Sequence, residues 1–222
     1  YLQSKGIPKT DILINYTPFG HSDWQTIVAD VKKFGSSGKK TAVVSTINGD
    51  ANVPFYKELG NQGVSAEDIP VVAFSVGEEE LAGLDTGPLV GHLAAWNYFM
   101  SIESVRIETF IAKWKKFIKV PKRVTNKTME ANYIGFNMWV KSVKQAWTVN
   151  ENAVRHAVYG QKVKNFTGGI EVMNTNYHLY KPVFIGEIQD DGQFNIVWST
   201  DRVVKGDAWT DYLLDSSKLT ED

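Results

Sequence analysis

The chain has 222 residues, with 43% hydrophobic and 22% charged side chains, a formal net charge of −1 and no cysteine. That balance suits a folded globular chain and offers no basic field for nucleic acid. It also excludes a disulfide framework, a thiolate metal site and a cysteine nucleophile.

Asp11-Ile12-Leu13-Ile14-Asn15-Tyr16 is a short apolar run and predicts a strand. After the turn cluster Thr17 to His21, Ser22 with Gln25 forms a capping box for a helix. Trp24, Ile27, Val28, Val31 and Phe34 give that helix its apolar face, and Gly35 and Gly38 end it. Thr41 to Thr46 is the next strand, apolar without alternation, as when both sheet faces are covered. Asn52 then caps a helix with Pro54 in its first turn. Pro70 to Phe74 is a third strand, Glu78 to Leu81 a short helix and Val90 to Ala95 a fourth strand. Strands alternating with helices at these spacings imply βαβ units and a parallel sheet, hence an α/β fold.

The character changes near Trp96. A helix runs from Ser104 to about Val120, where Pro121 stops it. A longer one runs from Thr128 to Trp147, with Met129, Tyr133, Phe136, Val140, Val143 and Trp147 as a core-facing stripe that Ile134 and Met138 widen. Asn150 caps a third helix that ends at Gly160. Three helices without strands between them read as one layer of a second body. Gly169 to Met173 is strand-like, and Pro182 to Ile188 with Phe194 to Trp198 form a hairpin about an Asp-Gly turn. The tail from Asp215 is polar and reads as loose. No uninterrupted apolar stretch reaches the ~18–20 residues of a membrane span.

Chemistry is sought first in motifs. The chain has no G-x-S-x-G elbow, phosphate loop, H-E-x-x-H or G-x-G-x-x-G. Its four histidines are scattered without ligand spacing, so each reads as a hydrogen-bonding residue rather than a metal ligand. No enzyme, metal or cofactor is expected. The loops that leave the C-terminal ends of the parallel strands are the places where open α/β sheets bind ligands. They carry Asn48-Gly49-Asp50, Ser75-Val76-Gly77-Glu78 and Trp96-Asn97-Tyr98. Asp50 and Glu78 offer acceptors for N–H groups. Ser75 and the backbone near Asn48 and Gly49 offer donors, and Trp96 or Tyr98 offers a wall for a planar group. Each has a plainer use as well: Asp50 as a first-turn acid, the three glutamates as a dipole-matched cluster and Trp96 as packing.

Three stretches carry a resemblance: Tyr16-Thr17-Pro18-Phe19-Gly20-His21-Ser22-Asp23-Trp24, then Ser45 through Tyr56 around Asn48-Gly49-Asp50, then Val72 through Leu81 around Gly77-Glu78-Glu79-Glu80. Met129-Glu130-Ala131, Gly135 to Trp139 and Lys181-Pro182 through Ile188 continue it. The chain resembles the urea-binding proteins of urea ABC transporters, within the type I periplasmic binding proteins. The resemblance implies two α/β lobes joined by three crossovers, with the ligand between them. Residues 1–96 and 180–222 would form the second lobe, and 97–179 the returning helical part of a first lobe whose remainder is not in this sequence. It assigns ligand contacts to Asn48, Gly49 and Asp50, and to Ser75 and Glu78, with Glu79 as the other register. It implies urea or a short amide as ligand and ABC permease subunits as partners. The expected location is periplasmic or extracytoplasmic, at the membrane only through the permease or a lipid anchor. A cytoplasmic amide sensor of the same fold is the alternative. With half of the pocket absent, this chain is expected to bind ligand weakly and to self-associate through its helical layer.

Overall fold

The computed structural model describes residues 1–164, 166–167, 170–207 and 209. In chain order these form α1 (Gln25–Gly35), β1 (Val43–Ser45), α2 (Asn52–Asn61), β2 (Val71–Ala73), α3 (Glu78–Leu81) and β3 (Leu93–Trp96). There follow α4 (Val105–Ile118), α5 (Lys127–Ala146), α6 (Glu151–Val158), β4 (Lys162–Lys164), β5 (Ile170–Val172), β6 (Phe184–Ile188) and β7 (Phe194–Ser199).

One sheet has the order β1-β2-β3-β6-β7. Its first three strands are parallel, with Val43 beside Val71 and Val72 beside Leu93. β6 then runs antiparallel to β3, pairing Trp96 with Phe184, and β7 antiparallel to β6. The hairpin between β6 and β7 turns at Asp191-Gly192, where Gly192 has φ +76°, a conformation that favours glycine. The expected α/β class is therefore present, with the parallel part shorter than expected. Trp24 and Val28 from the start of the chain, Phe55, Tyr56 and Leu59 from α2, Val71 and Ala73 from β2, and Ile188 and Phe194 from the hairpin close one core. Burial of each such large side chain contributes about 1.5–3 kcal/mol.

Several local expectations change. Asp11 to Tyr16 is not a strand: Lys9–Asp11 is a 3-10 turn, and Leu13, Ile14 and Tyr16 are exposed. The run does not dock on the sheet, and the outer edge of β1 has no strand beside it among the described residues. The capping box at Ser22 does not form. The Trp24 indole donates to the His21 carbonyl and its ring is buried, which holds the chain in a turn until Gln25. Asp23, not Ser22, accepts the first helical N–H, from Gln25 at 3.4 Å. Asn52 is the first residue of α2 rather than its cap. β3 starts at Leu93 because a 3-10 turn occupies Gly87–Leu89.

The caps of the helical region are local and follow the sequence. Ser104 accepts from the Arg106 N–H, Asn126 from Met129 and Asn150 from Ala153. The α5 stripe is a correction. Ile134 and Met138 are buried, whereas Tyr133 and Phe136 of the supposed core stripe are about half-exposed or more. Trp147, just past the helix, is 94% exposed. β4 was not expected; its Lys-Val-Lys carries little apolar signal, yet it pairs with β5 with Val163 beside Glu171. Gly169 and the tail from Asp215 lie outside the described residues. Among the described residues, no group of acids and histidines could hold a metal ion and no helix is long and apolar enough to cross a membrane. His92 is a buried hydrogen-bonding residue: its Nδ1 accepts from the Val71 N–H at 3.1 Å, and its Nε2 lies 3.3 Å from the Val64 carbonyl.

Candidate functional site

The chain leaves β1 and β2 at the same end of the sheet, and each exit loop runs straight into a helix. After β1, Asn48 is extended and Gly49 adopts φ +63°, which starts the 3-10 turn Gly49–Ala51. After β2, Ser75 and Gly77 lead into α3. Asn52 locks the two loops together. Its fully buried amide nitrogen lies 3.1 Å from each of the carbonyls of Ile47, Gly49 and Ser75. The Ser75 hydroxyl completes the join by donating to Asn48 Oδ1 at 2.7 Å. Asn48, Gly49, Asp50 and Ser75 thus form one continuous polar rim.

Trp96 closes the end of β3. A Cβ on Gly77 would stand 2.7 Å from the Trp96 ring, so glycine lets the indole lie against the α3 N-terminus. The Lys127 ammonium sits 5.9 Å from the ring centroid of Trp96, a cation–π contact. Burial pushes the Lys127 pKa down, and neighbouring Lys181 adds to that while Glu130 opposes it. Lys127 begins α5, so the helical region reaches the strand ends through this residue.

The three glutamates of α3 have three different settings. Glu78 is buried, and its Oε1 accepts the Met100 N–H at 2.5 Å. Burial pushes its carboxyl up to about 7, against the pull of the Met100 N–H. Its Oε2 has no partner among the described residues. Glu79 pairs with Arg123 at 2.9 Å. Glu80 accepts the Gly77 N–H at 2.9 Å, and its pKa is raised by burial first and by the charges of Glu79 and Asp50. The glutamate in electrostatic reach of Asp50 is therefore Glu80. The structure brings Asn48, Gly49, Asp50 and Ser75 side by side on two joined loops, packs Trp96 against Gly77 at the start of α3, and buries Glu78 against the segment that follows β3.

Sequence reasoning missed Asn52, Glu80 and Lys127 as parts of this site. Asn52 carried a plausible capping signal that hid its long-range bonds. Lys127 carries no local signal, since Trp96 is far away in the chain. The rim is acidic, and its two cations, Lys127 and Arg123, both come from beyond β3. Such a set of acceptors with an aromatic wall suits a small, N–H-rich planar molecule better than a carboxylate. A separate groove of about 690 Å³ lies between α4, α5 and β4, with Phe110, Tyr133 and Phe166 on its floor, away from these residues.

A family model described as a periplasmic binding protein domain matches residues 1–215. The fold is similar to the solute binding protein of an ABC transporter from Rhodopseudomonas palustris HaA2, solved with p-hydroxybenzoic acid. The identity is 16% and the TM-score 0.67, over 85% of this chain and 51% of that one. It is also similar to a leucine-, isoleucine-, valine-, threonine- and alanine-binding protein from Brucella ovis in its closed conformation, at 14% identity and a TM-score of 0.64, over 86% of this chain and 50% of that one. A curated protein from Geobacillus stearothermophilus named limonene hydroxylase is 26% identical over 114 residues, which is 51% of this chain and 21% of that protein. The chain thus spans about half the length of its solved relatives and about a fifth of the curated one.

Proposed function

The chain belongs to the periplasmic binding protein domain family, and on that premise we propose that it is part of an extracytoplasmic receptor that delivers urea or a short amide to an ABC permease. The observation that carries the reading is the joint where Asn52 and Ser75 tie the two strand-end loops together beside Asn48, Gly49 and Asp50, and we read the ligand crevice as lying between this rim and Trp96. Urea is planar, with four N–H donors and one carbonyl. Asp50 accepts from the N–H groups, the backbone N–H groups near Gly49 face the carbonyl, Ser75 holds Asn48 in place, and Trp96 walls the plane. The second acceptor assigned to Glu78, or to Glu79 in the other register, requires Glu78 to turn from the Met100 N–H or Glu79 to release Arg123 when ligand binds. The solved relatives bind a hydroxybenzoate and amino acids. The acidic rim here favours a ligand without a carboxylate of its own. The opposing lobe supplies the remaining contacts, and closure on the ligand expels water and strengthens each hydrogen bond.

The reading is tested by titration calorimetry on protein that carries both lobes. Urea binds, and Asp50→Ala weakens binding by roughly 1.5–3 kcal/mol, the worth of one charge-assisted hydrogen bond. Unchanged urea affinity in the variant removes Asp50 from the site. Tight benzoate or leucine binding with none for urea overturns the ligand class.

A further inference from the structure

Two segments join the main sheet to the helical region, residues 97–104 after β3 and residues 173–183 before β6. They meet each other and the α4–α5 loop. The Asn97 amide donates to the Pro182 carbonyl at 2.6 Å. The Tyr98 hydroxyl lies 2.7 Å from Thr125 Oγ1, and the Thr125 N–H points at the Met100 sulfur. Next to this joint lies a buried charge cluster. Lys181, on the second segment, is 2.6 Å from Glu130 of α5 and 3.6 Å from Glu171 of β5. Glu130 and Glu171 are only 2% and 1% exposed. Glu171 Oε2 has no hydrogen-bond partner among the described residues. Lys127 and Tyr98 are the other titratable groups that act on Glu130 and its partners.

One ammonium for two buried carboxylates, one of them with an unpartnered oxygen, is an arrangement that a proton completes. We propose that the Glu130–Lys181–Glu171 cluster is a proton-operated latch on this joint, closed when Glu171 is neutral and loosened when it ionises. With Glu171 neutral, Lys181 belongs to Glu130 alone and the second segment is held against α5. With Glu171 ionised, both carboxylates draw on Lys181, and the orphan oxygen needs water that the closed joint excludes. Burial, and after it the charge of Glu130, set the Glu171 proton against the pull of Lys181, with a balance at about 7. Through Glu130 and Lys181 the change reaches Lys127 and hence Trp96. Lys181 and Glu171 act as positioning residues, and their bearing on ligand rests on the reading of the crevice given above.

The test needs no ligand and uses the 222-residue chain. Carbon-13 NMR of the glutamate carboxyls follows pH from 5 to 9, together with the Trp96 indole resonance and the exchange protection of the Lys181 amide, which donates to the Val204 carbonyl. Two carboxyls titrate near neutrality, those of Glu78 and Glu171, and one of the two is lost in Glu171→Gln while the other is lost in Glu78→Gln. The indole moves with the Glu171 midpoint. Lys181 protection falls about tenfold across that midpoint, the linkage worth of one pKa unit, and stays flat in the variant. If Glu171→Gln does not fold, Glu78→Gln decides: a neutral carboxyl step remains there, and the indole and the Lys181 amide still follow it. Titration of every buried carboxyl below pH 5.5, or an indole and an amide indifferent to the neutral step, overturns the latch. Because no ligand takes part, failure here leaves the receptor reading standing, and failure of urea binding leaves the latch standing.

Discussion

Glu78 shows how much one side chain's setting can differ from its sequence context. Three acids in a first helical turn read as a solvated cluster that favours the helix dipole. In the fold the first is buried under the segment after β3, the second holds Arg123, and the third neighbours Asp50. None of this was legible, because Met100 and Arg123 lie far along the chain and no local pattern names them. The burial of Glu78 has a measurable sign. Its folded pKa is about 7, raised from 4.5, so the folded state holds the extra proton between those values. Stability contributed by this group is present at low pH and lost as pH rises through about 7. Glu130 and Glu171 are raised by burial too and act in the same direction. Denaturant melts should therefore show Glu78→Gln close to wild type at pH 5 and about 1–3 kcal/mol more stable at pH 8. Equal differences at both values would show that the carboxyl is not held near neutrality.

At the scale of elements, the readable parts are those whose signals are local. The helix starts at Ser104 and Asn150 follow from side chains that bond to the backbone two or three residues on. The β6–β7 hairpin follows from Asp191-Gly192. Asp11 to Tyr16 was misread because a strand exists only where a ladder forms, and this run does not dock on the outer edge of β1. The rim of the crevice was half legible. Its residues were named from the strand ends, but the device that aligns them, Asn52, was taken for a cap. Replacing Asn52 with leucine leaves three partly buried carbonyls without their shared donor. Each unsatisfied group costs about 1–3 kcal/mol, and partial access of water lowers the sum. A loss of about 2–4 kcal/mol in chemical denaturation is expected. A loss below about 0.5 kcal/mol, within the scatter of ordinary surface substitutions, would mean that the loops hold their shape unaided.

For the whole molecule, the two faces of the helical region are unequal. Ile107, Ile134 and Met138 are buried, while Val105, Phe117, Phe136, Trp139 and Trp147 face outward. An apolar surface of this kind seeks cover. Size-exclusion chromatography with light scattering should find this chain self-associated at micromolar concentration. The double substitution Phe136→Glu with Trp139→Glu should shift it to monomer with its helix content kept. A monomeric wild type would show the face to be tolerated by water. The order of the main sheet has a further consequence, in time rather than in space. β3 has β2 on one side from the first half of the chain, but its other neighbour is β6, about ninety positions on. During synthesis the free edge of β3 must wait while α4, α5 and α6 emerge from the ribosome. An unpaired edge beside apolar helices is where nascent chains join the wrong partner. The slow, vulnerable step in making this molecule is thus the docking of its final hairpin. A chaperone that covers the β3 edge should raise the yield more than one that acts on the finished fold.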